Sequence, residues 1–394
     1  MDLFEKARQF TRPQEVKALG LYPYFLPLED SEGTEVTIYG KKIIMIGSNN
    51  YLGLTTHPKV REAAIEAIKK YGTSCTGSRF LNGTLKLHME AEEKLAAFVG
   101  KPAALIFSTG MQVNLGAISC LLGKDDIAII DKDDHASIVD GVRLGFGEMR
   151  RFVHSDLASL ERQLAAAPDK AGVLVVVDGV YSMGGDIAPL PAIVKLVKQY
   201  GARLYVDDAH SLGVLGPQGR GTAAHFNLTD QVDLIMGTFS KSFASLGGFV
   251  AGDADVMQWV QHSARSFIYS ASIAPASLAA AIAALEIMQT ESDRIEQLWH
   301  NTEKMRKGYQ AMGFNTRPSE TPVIPIMIGD DQKTFAAWKA LFEAGIYTNA
   351  VVSPAVPSSK SLLRTSYMAT HTDAQLDRVL DTFQRVGREL GLIN

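Results

Sequence analysis

The stretch Leu234-Ile-Met-Gly-Thr-Phe-Ser-Lys-Ser242 sets a lysine straight after a short apolar run, and small residues from Ala244 to Gly248 follow it. A run this short and this apolar reads as a strand buried on both faces. Four more such runs lie upstream: ALIF at 104–107, IAII at 127–130, VLVVV at 173–177 and RLYV at 203–206. Between them, segments such as Leu157 to Ala166 and Pro191 to Tyr200 carry apolar residues every three or four positions, as amphipathic crossover helices do. Strands and helices alternating in this way predict an α/β large domain, a mostly parallel sheet flanked by helices.

Beyond about Thr290 the pattern changes. A helix near Arg294 to Met312, a strand near Val323 to Ile328, another helix and a second strand predict a smaller C-terminal α+β domain. The expected division is an N-terminal segment over 1–50, a large domain over 51–289 and a small domain over 290–394. No internal repeat or low-complexity linker interrupts it, and the Pro-Ser stretch Ser353 to Ser359 reads as an ordered loop near a site.

Composition narrows the classes. Among 394 residues, 46% are hydrophobic and 21% charged, with a net charge of -4, as in an ordinary globular protein with a large core. Lys and Arg are scattered, so no nucleic-acid partner is expected. The charged start lacks an apolar signal region, which points to the cytoplasm. The longest apolar run, around Ala279 to Leu285, is far shorter than the roughly 20 residues that cross a bilayer. Two cysteines, Cys75 and Cys120, make neither a disulfide framework nor a metal site, and no metal is expected.

Chemistry gathers at the predicted strand ends, which in open α/β sheets face the ligand crevice. A lysine desolvated there, as Lys241 would be, has a lowered pKa and attacks carbonyls. Thr238 and Ser240 add hydroxyls suited to a phosphate. Tyr205-Val-Asp-Asp-Ala-His210 ends another strand. Asp207 there can keep a pyridinium nitrogen protonated, which deepens an electron sink, and His210 can reach the phenolic oxygen of the same ring. Asp208 should face the other way, because strand side chains alternate. Ser108-Thr-Gly-Met111 precedes a helix from about Gln112, so Gly110 and Met111 can donate backbone N–H groups to a phosphate. His135, in Asp133-Asp-His-Ala-Ser137, offers a flat ring for stacking. Each stretch alone is better read as a polar turn, a structural glycine or a solvated histidine. Four of them in one order, each at a strand end, outweigh those readings.

That order resembles the α-oxoamine synthase family of fold-type I pyridoxal-phosphate (PLP) enzymes, and the likeness covers nearly the whole chain. It extends through Gly47-Ser-Asn-Asn-Tyr-Leu-Gly-Leu54, Gly77-Ser-Arg-Phe-Leu-Asn-Gly-Thr84, Tyr181-Ser-Met-Gly-Gly-Asp186 and Leu362-Leu-Arg-Thr365. The resemblance implies PLP as cofactor and a homodimer with active sites at the subunit interface. It matches Gly110, Met111, Ser182, His210, Thr238 and Lys241 to cofactor contacts, with Lys241 as the Schiff-base lysine and general base. Asp207 matches the pyridinium partner and His135 the stacking ring. Ser270 and Ala271 match a phosphate contact from the other subunit. Arg364 matches the arginine that binds the amino-acid carboxylate, with Asn49 and His135 assisting and Ser78 near the substrate side chain.

The reaction so implied is a decarboxylating condensation of L-serine with a long-chain acyl-CoA, such as palmitoyl-CoA, to 3-oxosphinganine, CoA and carbon dioxide. Condensing glycine with acetyl-CoA, or alanine with a pimeloyl thioester, follows the same mechanism and stays open. Enzymes of the last kind often carry an N-terminal arginine where this chain has the apolar Leu21-Tyr-Pro-Tyr-Phe-Leu26. That favours a long acyl chain. The same run is weighed as a peripheral contact with the inner membrane, against core or interface packing, which is the favoured reading. The chain departs from some family members in one place, having Val351-Val-Ser-Pro354 where they carry an extra arginine. A dinucleotide-binding dehydrogenase would need an early Gly-x-Gly-x-x-Gly, which is absent.

Overall fold

The structure is a computed structural model and describes residues 2–394. After β1 (Lys41–Met45), the large sheet is built from β2 (Ala103–Phe107), β3 (Ile127–Asp131), β4 (Glu148–Phe152), β5 (Val173–Asp178), β6 (Arg203–Asp207), β7 (Leu234–Thr238) and β8 (Gly248–Gly252). Their order across the sheet is β2-β8-β7-β6-β5-β3-β4. Every neighbouring pair from β7 to β4 is parallel, and β8 runs antiparallel between β7 and β2. This is the fold-type I architecture, with helices covering both faces of the sheet.

Continuous apolar runs follow from that coverage. Alternate residues such as Ile106, Ile129, Val175, Val206 and Ile235 enter one core, and Leu105, Ile130, Val176, Tyr205 and Met236 enter the core on the opposite face. All five predicted strands form, and the two crossover helices fall at Leu157–Ala165 and Leu190–Gln199. Two strands carried no such signal. The edge strand β4 reads Glu-Met-Arg-Arg-Phe and buries only Phe152, while β8 lies in the glycine-rich segment after Lys241.

The second layer of the molecule holds helix Asp293–Ala311, a three-stranded antiparallel sheet over Val323–Met327, Leu362–Ser366 and Asn349–Val351, and helices Asp331–Glu343 and Asp373–Glu389. Its core draws on both ends of the chain: Ile44 and Ile46 lie with Ile324, Tyr367 and Phe383, and β1 pairs in parallel with Ile346–Tyr347. Leu21 and Leu26 pack against this core, while Phe25 between them is 93% exposed. No helix of the described residues is long and apolar enough to cross a membrane.

Candidate active site

The C-terminal ends of β3, β5, β6 and β7 carry Asp131, Asp178, Asp207 and Thr238, so parallel packing delivers three carboxylates and a hydroxyl to one edge of the sheet. A cavity of about 170 Å³ opens there. Gly110, Met111, His135, Ser182, Asp207, His210, Thr238, Ser240 and Lys241 all line it. Helix α1 (Gly110–Leu121) begins at its rim, two residues earlier than expected, capped by Thr109 Oγ1, which accepts from Gln112 N at 3.1 Å. Close approach explains Gly110: a Cβ there would stand 2.5 Å from Thr238 Oγ1.

Asp207 is held rigidly. Its Oδ2 accepts from Asn114 Nδ2 at 2.7 Å and its Oδ1 from Ala209 N at 3.0 Å. Asn114 also donates to Ser137 Oγ at 2.8 Å, and Ser137 Oγ lies 2.7 Å from His135 Nδ1. That nitrogen also accepts from Ser137 N, so a neutral His135 ring carries its proton on Nε2. Burial lowers the His135 pKa and keeps the ring neutral. Asp208 turns to the other side of the strand and accepts from Thr222 N.

Electrostatics sharpen the picture. Burial depresses the Lys241 ammonium to about 8, against the opposing pull of Asp207 and Asp178. The Asp178 carboxyl, which accepts from His135 N at 3.1 Å, is pushed well above the ordinary carboxylate range by burial and then by Asp207. His210 is driven well below its usual value by burial, with Lys241 and Arg364 adding to it. Its Nδ1 sits 2.7 Å from Tyr51 Oη.

Arg364 is outside the cavity lining but joined to it. Its Nε donates to the Ser182 carbonyl at 2.6 Å and its Nη2 to Asn49 Oδ1 at 3.0 Å. Two of its five N–H groups are thereby spent. Tyr51 Oη also reaches Asn49 Oδ1, at 3.4 Å, so His210, Tyr51, Asn49 and Arg364 form one chain. Besides Arg364 and Asn49, three more expected residues stand apart from the lining. Ser270 accepts from Gln112 Nε2 at 2.9 Å, and the Ala271 carbonyl accepts from Ser108 Oγ, both beside the start of α1. Ser78 Oγ is buried without a hydrogen-bond partner.

Asn114, Ser137, Asp178 and Tyr51 are the residues that sequence reasoning missed. Asn114 lies one helical turn after Gly110, but the same helix also carries Gln112 and Ser119, so nothing along the segment marks its amide out. A lysine with a depressed pKa and a carboxylate fixed by an amide, at adjacent strand ends beside a glycine-opened helix start, define a fold-type I PLP enzyme. Residues 41–383 match the model of the aminotransferase class I and II family. The chain is 52% identical to a serine palmitoyltransferase of Sphingobacterium spiritivorum, over 98% of this chain and 97% of that one. It is 42% identical to an 8-amino-7-oxononanoate synthase of Thermoanaerobacter pseudethanolicus, over 96% of each. A solved serine palmitoyltransferase from S. paucimobilis with a bound PLP-myriocin aldimine superimposes with a TM-score of 0.97 at 39% identity, covering all of both chains. The chain belongs to the aminotransferase class I and II family.

Proposed function

We propose that the chain condenses L-serine with palmitoyl-CoA, forming one carbon–carbon bond, breaking the thioester and releasing CoA and carbon dioxide to leave 3-oxosphinganine. One observation carries the chemistry: Lys241, depressed to about 8, shares a cavity with Asp207, one link away from the buried guanidinium of Arg364. The serine palmitoyltransferase relatives, at about half identity over nearly the full length, carry the choice of substrates. The cavity suits PLP, because the Gly110 to Thr238 approach leaves a cradle of backbone N–H and hydroxyl groups at a helix start.

When bound, PLP supplies an electron sink for negative charge at the substrate Cα. Lys241 would hold the cofactor through its amine, and its Nζ is the group that would take the Cα proton. Asp207 retains a proton at the ring nitrogen, and Asn114 fixes its direction. His135 covers the ring. Arg364, steadied by Ser182 and Asn49, takes the amino-acid carboxylate, with Ser78 beside the substrate side chain. Thr238, Ser240, Gly110 and Met111 hold the phosphate.

The second subunit of a homodimer completes the site, with Ser270 and Ala271 reaching across. Support comes from exposed apolar side chains: Met111 on the cavity lining, Tyr269 next to Ser270, and Phe80 and Leu81. Peripheral contact with the inner membrane is the finer reading of location in the cytoplasm; exposed Leu3, Phe4 and Phe10 beside Lys6, Arg8 and Arg12 support it, and co-sedimentation with anionic vesicles tests it.

The deciding experiment follows CoA thiol release from palmitoyl-, acetyl- and pimeloyl-CoA, each paired with serine, glycine and alanine, beside a Lys241→Ala control. Release with serine and palmitoyl-CoA, lost in the control, is expected. Preference for another pair keeps the mechanism and moves the substrate, and silence from every pair overturns the enzyme reading.

A further inference from the structure

His154 lies outside the cavity, in the turn after β4, and has no part in the chemistry described above. Its two ring nitrogens face two carboxylates: Nδ1 is 3.0 Å from Asp131 Oδ1, and Nε2 is 2.9 Å from Asp186 Oδ2. Carboxylates that accept at both ends require both nitrogens to be protonated. Burial works against that charge, but Asp131 and Asp186 together raise the imidazolium to about 10. Tyr181 meets the ring edge-on, centroids 4.4 Å apart, and donates its hydroxyl to Asp131 Oδ2 at 3.0 Å.

Each carboxylate belongs to a different wall of the active site. Asp131 ends β3 and accepts from Asp133 N at 2.9 Å, which shapes the turn leading to His135. Asp186 closes the loop that begins at Tyr181, whose N donates to the Asp186 carbonyl at 3.0 Å. Ser182, inside that loop, presents the carbonyl that accepts from Arg364 Nε.

We propose that His154 is a positioning residue: it braces the Tyr181 to Asp186 loop against the end of β3, and so sets Arg364 for the amino-acid carboxylate through the Ser182 carbonyl. This rests on the assignment of Arg364 made above. His154 touches neither substrate nor cofactor, so its loss should weaken capture of the amino acid more than turnover of what is captured.

The test is a titration of PLP-loaded enzyme with L-serine, followed by the cofactor's absorbance, together with kcat and KM. His154→Phe keeps the ring and its edge contact with Tyr181 but removes both hydrogen bonds; Asp186→Asn removes the charge at one end only. A roughly tenfold rise in the serine Kd for His154→Phe, and a smaller rise for Asp186→Asn, is the size expected from losing charge-assisted hydrogen bonds. In both, kcat at saturating serine should stay within about threefold of wild type, the split that transmission through binding alone demands. A serine Kd unchanged in both variants overturns the proposal, as does a fall in kcat with Kd unmoved. Should His154→Phe not fold, an unchanged Kd in Asp186→Asn overturns it alone. A wild-type enzyme that shows no spectral response to serine overturns the functional reading itself, which keeps the two failures apart.

Discussion

Lys241 shows how burial alone prepares a side chain for chemistry. The ammonium is held at about 8 although Asp207 and Asp178 pull it upward. The neutral amine is the form that captures a carbonyl, and its fraction grows as pH rises through that value. PLP-free enzyme should therefore take up PLP faster at pH 9 than at pH 7, with a midpoint near 8 when the rate is read from the absorbance of the bound cofactor. A rate still climbing about tenfold per pH unit through pH 9, with no levelling near 8, would show the lysine to be unperturbed. Lys241, Asp207 and His210 were legible in the sequence because each follows a recognisable buried strand. Asn114 and Ser137 were not, since their work is sideways: they tie His135 to Asp207 across two helix starts, and no spacing along one segment encodes such a link. Ser270 and Ala271 illustrate the complementary limit, lying at the rim where one chain shows only their own neighbours.

Among the elements, the start of α1 makes the sharpest prediction. Gly110→Ala places a methyl 2.5 Å from the Thr238 hydroxyl, inside the cradle, and does so without a left-handed backbone to strain. The expected result is a folded protein of somewhat lower Tm, because the methyl overlaps the buried Thr238 side chain, with a PLP Kd, measured by fluorescence or absorbance titration, that rises about tenfold or more. The loop before helix Asp373–Glu389 predicts a pH effect on stability. His371 Nδ1 accepts from Met368 N at 2.9 Å, and Nε2 lies 3.1 Å from the Met45 carbonyl, so the ring serves both ends only when neutral. Burial lowers its pKa to about 4. The unfolded chain therefore binds the proton first. The stability this histidine contributes is present above about 6.5 and is lost as pH falls toward 4. Melting curves should show a smaller drop in Tm between pH 7 and pH 5 for His371→Asn than for the wild type. As for legibility, parallel strands were easy to read because both faces are covered. β4 escaped because an edge strand buries one side chain, and β8 because glycines gave it no apolar run.

At the scale of the whole molecule, these exposed apolar side chains make a quantitative demand. Leu81 and Tyr269 are 77% and 76% exposed in the single chain. Sedimentation equilibrium should report a dimer for the wild type, and Leu81→Glu should shift it toward monomer with loss of CoA release; a fully active monomer would remove the second subunit from the site. Another whole-molecule feature concerns how the protein is made. The core shared by Ile44, Ile346 and Phe383 cannot close until nearly all of the chain exists, since β1 pairs with Ile346–Tyr347. At ribosomal speeds of about 5–20 residues per second, the apolar segment around β1 waits roughly fifteen seconds to a minute for its partner strand. Throughout that interval the nascent chain displays an unpaired sheet edge, which makes its first fifty residues the stretch most dependent on chaperone cover during synthesis.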